Sequence, residues 1–385
     1  MIYLDNGATS FPKPRGMIAE MEDCMMNYCG NPGRSGHRMS MKTGEKVYRA
    51  RRNVASLFHI KDPGRLIFTK NTTESLNMAM IGFLREGDHV VTTAMEHNSV
   101  LRPLKALEKR GISHTIVNAD SEGHVSSQDI GKAIRDNTRL IAVTGASNVT
   151  GTVMPLEEIG MLAKRRHIPL LIDAAQCAGA VDLDVEKLGV SMLAFPGHKG
   201  LLGPLGTGGL YTGEDIELQP FLYGGTGTES KSRLQPIDYP EGYEAGTVNA
   251  PGIIGLGYSA SVVQRIGVET IFCHERELIR QFDEAVQNME QVDLYGPVPE
   301  EKTGISLFNI RNIECEEVAE QLNSRFGIAV RGGYHCAGLA HKMIGTWDQG
   351  AVRLSVGPFN TRKDIKMAVD AVWKISRPSR SFCGC

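Results

Sequence analysis

An α/β fold with a mostly parallel sheet covered by helices is what this chain predicts, and three observations carry the prediction. Between residues 65 and 211, seven short β-rich runs alternate with helical patterns, as expected of parallel strands joined by helices that cover both faces. A stretch at 219–252, rich in Gly, Pro, Tyr and Glu, then interrupts the periodicity before a second set of helical and strand patterns begins. The chain's 385 residues also exceed the size at which one hydrophobic core stops growing. One large domain and one smaller α+β domain are therefore expected.

The seven runs are 65–69, 89–92, 113–117, 139–144, 169–173, 191–195 and 208–211, each short and β-rich. The 219–252 stretch reads as an ordered loop region. After it, a helical pattern at 253–292 leads into the second lobe, with strands at 305–309 and 352–356 and helices at 315–326 and 361–375. The expected division is a large domain at 15–255, a small domain made of 1–14 and 256–376, and a flexible polar tail at 377–385 carrying Cys383 and Cys385.

Composition narrows the function. A content of 41% hydrophobic and 22% charged residues with a net charge of -2 is that of a globular protein without electrostatic drive toward nucleic acid or an anionic membrane. The strand-like Ile2-Tyr3-Leu4 follows Met1 directly, without a basic region and long apolar segment, and no apolar run approaches the roughly 18 residues of a membrane span. A cytoplasmic protein acting on small molecules is expected. Eight scattered cysteines argue for free thiols over a disulfide framework.

In sheets of this kind ligand chemistry collects at the carboxyl ends of the strands, and several runs end on reactive residues. Phe195-Pro196-Gly197-His198-Lys199-Gly200 places one lysine among glycines, where an amine can condense with a bound aldehyde. Leu170-Leu171-Ile172-Asp173 ends an apolar strand on a carboxylate, which needs a cationic partner to offset its desolvation. A protonated pyridine nitrogen would supply one, and the pairing suggests pyridoxal phosphate. Phe68 to Glu74 closes a strand and opens a helix with Thr and Glu spaced as a cap, a phosphate cradle in which Thr72 and Thr73 offer hydroxyls. His97, after the next strand, could stack on a planar ring or shuttle a proton. Asn148 ends another, where its amide could bond a phenolic oxygen or a substrate. Further on, Arg331 to Ala337 sets Cys336 beside a histidine on a glycine-rich, mobile segment, where positive charge favours thiolate. Arg353 lies in a strand, suited to clamping a carboxylate. Each residue has an ordinary alternative: a solvated lysine, a salt-bridged aspartate, a plain helix cap, a loop histidine, a turn, a buried inert cysteine, a structural arginine. Their occurrence at successive strand ends is what chance does not readily give.

Taken together the residues resemble the cysteine desulfurases and selenocysteine lyases among the class V aminotransferase-like enzymes. Matching segments are Tyr3-Leu4-Asp5-Asn6-Gly7-Ala8-Thr9, Asn31-Pro32 to His37, Glu244-Ala245-Gly246-Thr247 and Arg331 to Cys336, within a likeness that runs to Trp373. The resemblance implies a pyridoxal 5'-phosphate enzyme of fold type I, a homodimer with its sites at the subunit interface. It implies that Lys199 bonds the cofactor, Asp173 pairs with the ring nitrogen, His97 stacks on the ring and Gln176 meets the ring oxygen. It assigns the phosphate to Thr72, Thr73 and His198, with Thr247 reaching the neighbouring subunit's phosphate. Asn148 and Arg353 would orient the substrate L-cysteine, or L-selenocysteine. Lys199 would then move the Cα proton, Cys336 would accept the sulfur as a persulfide for an acceptor protein, and His97 would donate a proton. No metal is implied.

Two positions depart from the family pattern. Pro196 stands where relatives commonly carry a phosphate-binding serine, removing a hydroxyl and a backbone donor, and Val248 replaces a proline after Thr247. The short interval from Cys336 to Arg353 resembles the subgroup with an abbreviated cysteine loop, which implies dependence on an accessory acceptor. Selenocysteine lyase and a cysteine or cystine C-S lyase are the alternatives within the enzyme class. A sulfur-trafficking scaffold with weak turnover, using Cys383 and Cys385, is the alternative outside it.

Overall fold

The computed structural model describes residues 1–377, so Cys383, Cys385 and the tail expected beyond residue 377 lie outside the described residues. Seven strands form the main sheet: β2 (Leu66–Thr69), β3 (His89–Thr93), β4 (Ser113–Val117), β5 (Thr138–Thr144), β6 (Leu170–Asp173), β7 (Met192–Pro196) and β8 (Gly208–Thr212). β1 (Ile2–Tyr3) precedes them, and β9 (Val292–Tyr295), β10 (Ile305–Ile310), β11 (Ile328–Ala329), β12 (Arg331–Gly333) and β13 (Ala351–Ser355) follow. The main sheet has the order β2-β8-β7-β6-β5-β3-β4. β8 runs antiparallel to both its neighbours and the other pairings are parallel. All seven strands fall within a residue of the runs read from sequence.

Their near-continuous apolar runs are explained by burial on both faces. Val91, Ile141, Val143, Ile172, Leu193 and Phe195 join one core cluster, while the intervening Val90, Leu140, Ala142, Leu171, Met192 and Ala194 join another on the opposite face. This alternation follows from the two-residue period of a strand. Helices 38–57 and 250–266 cover the first face, and helices 72–83 and 98–107 the second.

The second sheet is antiparallel, in the order β12-β13-β10-β9, and β1 pairs in parallel with β11 beside it. Its core unites Leu4 with Phe282, Phe308, Leu354 and Val372. An isolated bridge from Asp5 to Ser355 ties the amino-terminal strand to β13, which brings the first residues of the chain to the strand that carries Arg353.

The continuous helical pattern expected at 253–292 is two helices and a strand. Ala250–Ile266 and Val268–Val286 are separated by Gly267, whose φ of 91° no ordinary helix accommodates. Val292 opens β9 instead of closing a helix. The first of these helices passes unbroken through residue 255 and buries Ile253, Ile254, Leu256, Ala260 and Val263 in the larger core. The helix thus runs on to Ile266, and the chain turns at Gly267. No helix among the described residues is long and apolar enough to cross a membrane.

Candidate active site

The parallel strands deliver their last residues to one edge of the main sheet. β3 leads into His97, β5 into Asn148, β6 ends on Asp173 and β7 leads into Lys199. Asp173 is in register with Thr144 on one side and Ala194 on the other.

Asp173 is 2% exposed, and its Oδ1 accepts a hydrogen bond from the Ala175 N–H at 2.9 Å. Burial pushes the carboxyl up to about 6, although the Ala175 amide and the charge of Lys199 favour ionisation. Lys199 responds in the opposite sense. Burial and then the guanidinium of Arg353 bring its amine down to about 8, against the pull of Asp173. An amine so placed is partly neutral near pH 7–8, the form that attacks carbonyl carbon or takes a proton.

His97 caps the helix 98–107. Its Nδ1 accepts from the Ser99 N–H at 3.1 Å and lies 2.7 Å from the Ser99 hydroxyl. The ring proton accordingly sits on Nε2. Burial first, then Lys199 and Arg331, lower this imidazole to about 4, so it is neutral in the physiological range. His198 is lowered to about 4 for the same reasons, burial and then Lys199. Its Nδ1 is buried without a partner, while its carbonyl accepts from Ser10 N–H at 2.9 Å and Lys13 Nζ at 2.8 Å. The amino-terminal segment thus pins the residue before the lysine.

At β2 the cap differs from the sequence expectation. Asn71, not a threonine, caps helix 72–83 by accepting from the Glu74 N–H at 2.9 Å. Because an amide performs the capping, the Thr72 hydroxyl is left buried with no partner among the described residues, while Thr73 is exposed. This helix start adjoins the lysine segment: Pro196 pairs with Gly208, and a Cβ on Gly208 would stand 3.0 Å from Asn71 Cα.

The second sheet closes the site. Arg353 on β13 is 1% exposed; Nη2 lies 3.0 Å from Asp5 Oδ1, and Nη1 donates to the Asn148 carbonyl at 2.9 Å. The segment expected to be mobile is paired: Arg331–Gly333 forms the edge strand β12 against β13. Glycines at this edge are required, since a Cβ on Gly332 would come within 2.8 Å of the Cys315 carbonyl oxygen. Beyond β12, Asn148 Nδ2 donates to the His335 carbonyl at 2.6 Å and Asn98 N–H to the Cys336 carbonyl at 2.8 Å. Cys336 is exposed and its Sγ stands 3.9 Å from Arg331 Nη2.

Lys199, Asp173, His97, His198, Asn148, Arg353 and Cys336 therefore share one region. Gln176 joins it by donating from Nε2 to the Gly7 carbonyl at 3.0 Å, beside Arg353. Thr247 does not. It is exposed on the 219–249 segment, with its hydroxyl 3.3 Å from Asn31 Nδ2. The sequence reading assigned no role to Asp5, Arg331 or Glu96. Glu96 is 0% exposed and accepts at Oε1 from Thr93 Oγ1 and the Thr144 N–H; burial pushes it up to about 8. Asp5 and Arg331 lie inside matched segments, and a charged residue at so apolar a strand end was the available signal for Glu96.

Residues 2–367 match the model of the aminotransferase class-V family. The chain belongs to that family. Two curated class-V relatives are each called a probable cysteine desulfurase. The one from Methanothermobacter thermautotrophicus is 36% identical over 97% of this chain and 94% of its own length. The one from Pyrococcus abyssi is 34% identical over 99% and 96%. Among solved structures, the apo cysteine desulfurase of Thermococcus onnurineus NA1 superposes with a TM-score of 0.91 at 34% identity, covering 97% of this chain and 94% of that one.

Enzymes of the class-V family depend on pyridoxal 5'-phosphate, and the donor set here fits that group. Asp173 is a buried carboxylate that forms no ion pair among the described residues, as a site for a ring cation requires. The Thr72 hydroxyl and His198 Nδ1 are buried polar atoms awaiting partners, suited to a phosphate at a helix start. Lys199 supplies the amine. Pro196 adds neither a hydroxyl nor an N–H, so a phosphate here would lean more on groups such as these and on the first turn of helix 72–83.

Proposed function

We propose that the protein is a pyridoxal-phosphate-dependent cysteine desulfurase that converts L-cysteine to L-alanine and holds the released sulfur as a persulfide on Cys336. The observation that carries this reading is the docking of the cysteine segment on the site: the amide of Asn98, next to His97, and the side chain of Asn148, next to Arg353, hold the carbonyls of Cys336 and His335.

When bound, pyridoxal phosphate supplies an electron sink for the charge left by loss of the substrate Cα proton. Arg353, fixed by Asp5 and Asn148, binds the substrate carboxylate with its remaining N–H groups. Lys199, its amine lowered toward neutral pH, takes the Cα proton. Cys336 then attacks the substrate sulfur as thiolate. The Sγ–S bond forms as the substrate Cβ–S bond breaks, and the electron pair of the broken bond goes to carbon, which is then protonated. His97 Nε2–H is the neutral donor nearest in character to that need, and Arg331 places positive charge beside the sulfur that changes partner.

The same reading includes a cytoplasmic homodimer that passes its sulfur to an acceptor protein. Support for the dimer comes from Thr247, which lies exposed away from the site of its own chain. Leu222, Tyr223, Leu234 and Ile237 in the same segment are large apolar side chains left exposed.

The test is product analysis with mass measurement of the Cys336 peptide. L-cysteine should yield alanine and a Cys336 persulfide, and Cys336→Ala should abolish both. Pyruvate and ammonia as products, or alanine formed at the parent rate by Cys336→Ala, would overturn the assignment.

A further inference from the structure

The turn that carries Cys336 holds two consecutive residues in the left-handed region, His335 at φ 51° and Cys336 at φ 58°. Neither is glycine, so the conformation is strained and persists only where the surroundings over-determine it. Two amides already hold the carbonyls of the turn. A further restraint comes from side chains that the reaction does not use.

His335 is 2% exposed. Its Nε2 lies 3.1 Å from the Arg331 carbonyl, and its Nδ1 lies 3.3 Å from His341 Nε2. His341 and Thr346 are both 0% exposed, with His341 Nδ1 2.7 Å from Thr346 Oγ1. The direction of this chain follows from its end. A carbonyl can only accept, so His335 carries its proton on Nε2 and offers Nδ1 as an acceptor. His341 must then donate from Nε2, which leaves its own Nδ1 to accept from the Thr346 hydroxyl. A charged His335 would donate from both nitrogens and reverse the direction of the chain. Burial and the charge of Arg353 hold it well below the usual imidazole range, and burial brings His341 to about 4. Tyr334, edge-on to the His341 ring at 5.4 Å, donates its hydroxyl to the Trp347 carbonyl at 2.8 Å and closes the segment around the chain.

We propose that Thr346, His341 and His335 form a one-way hydrogen-bond chain that positions Cys336, holding its turn in the left-handed conformation that keeps Sγ beside Arg331 and within reach of the substrate sulfur. The proposal rests on Cys336 being the sulfur acceptor. Thr346→Val removes the terminal donor and keeps the side-chain shape. It leaves His341 Nδ1 buried without its donor, so the ring that donates to His335 loses the contact that fixes its other edge.

In the cofactor-loaded enzyme, Thr346→Val is expected to slow alanine formation from L-cysteine about tenfold, as loss of one buried donor implies. Exchange of the substrate Cα proton with deuterated solvent and KM should stay within about twofold. Thr346→Ser should restore the parent rate. A Val variant with undiminished alanine formation, an equal fall in Cα exchange, or a Ser variant as slow as Val would each overturn the proposal. A second measurement needs no variant: nitrogen NMR of histidine-labelled enzyme should show both His335 and His341 neutral and protonated on Nε2, and protonation of either on Nδ1 overturns it. Cys336→Ala, run alongside, separates the two levels, since retained alanine formation there removes the acceptor role itself.

Discussion

Arg353 and Asp5 are separated by nearly the whole chain, yet Nη2 of one lies 3.0 Å from Oδ1 of the other. The arginine is 1% exposed, so its charge needs this partner to remain buried. The pair exists because the first strand runs beside β11 and bridges to β13 at Ser355. Gly7 completes the fit, since a Cβ there would stand 3.0 Å from Arg353 Cζ.

A carboxylate clamp built this way should fail in substrate binding before it fails in chemistry. Arg353→Lys retains the charge but not the planar fork, and KM for L-cysteine is expected to rise about tenfold or more. Asp5→Asn, which leaves the guanidinium without its counter-charge, should raise KM in the same direction. Steady-state kinetics decide, and an unchanged KM in Arg353→Lys would remove the clamp.

The Thr72 hydroxyl is buried and has no hydrogen-bond partner among the described residues. Thr72→Val should therefore leave the melting temperature of the cofactor-free protein unchanged or slightly raised, because an unsatisfied group is replaced by an apolar one of the same shape. Affinity for pyridoxal phosphate should fall about tenfold, the loss of one hydrogen bond to a charged oxygen. Titration of the cofactor-free protein checks both halves, and unaltered affinity would exclude Thr72 from the phosphate site.

Much of this was legible in the sequence for physical reasons. Apart from the half-buried edge strand β4, the strands of the main sheet are buried on both faces, so their apolar runs stand out between turn residues, and ligand residues follow them at predictable ends. Asp173 was visible because a carboxylate on so apolar a strand demands an explanation. The break at Gly267 was hidden because the amphipathic pattern continues on both sides of it. β9 was hidden because only Val292 of its four residues is buried. The cap at Asn71 was missed because three hydroxyl- or amide-bearing residues stand in a row, and only the backbone angles select one. The His335 to Thr346 chain joins residues five and six apart through a left-handed turn, a geometry that no periodicity announces.

A buried ion pair secures the 219–249 segment. Arg51 Nη1 and Nη2 meet Glu244 Oε1 and Oε2 at 2.7 and 2.8 Å, and Glu244 Oε1 also accepts from the Phe68 N–H at 2.6 Å. Both side chains are under 10% exposed. Arg51→Ala leaves a carboxylate buried without its cation and is expected to cost about 3–5 kcal/mol. Arg51→Met with Glu244→Leu should cost less than Arg51→Ala alone, because no charge remains stranded. Denaturant melts of the three proteins test this, and equal stabilities for Arg51→Ala and the parent would contradict it.

Asp173 makes opposite predictions for stability and catalysis. Its folded carboxyl titrates at about 6, above the ordinary 3.8 that it recovers on unfolding. Below pH 3.8 both states are protonated and burial costs nothing. Between 3.8 and 6 the unfolded chain ionises first, so stability falls as pH rises, and above 6 the folded state carries the full cost of a buried charge. Two pKa units correspond to about 3 kcal/mol. Asp173→Asn cannot ionise, so the cofactor-free variant should be more stable than the parent at pH 7.5 by up to about that amount, with the advantage gone at pH 4. The same change removes the carboxylate that would pair with a ring cation, and alanine formation should fall about a hundredfold or more. Denaturation of the cofactor-free proteins at the two pH values, paired with turnover of the loaded ones, reads both effects. A variant that lost turnover without gaining stability at pH 7.5 would show that Asp173 is not held as an uncompensated buried charge before the cofactor arrives.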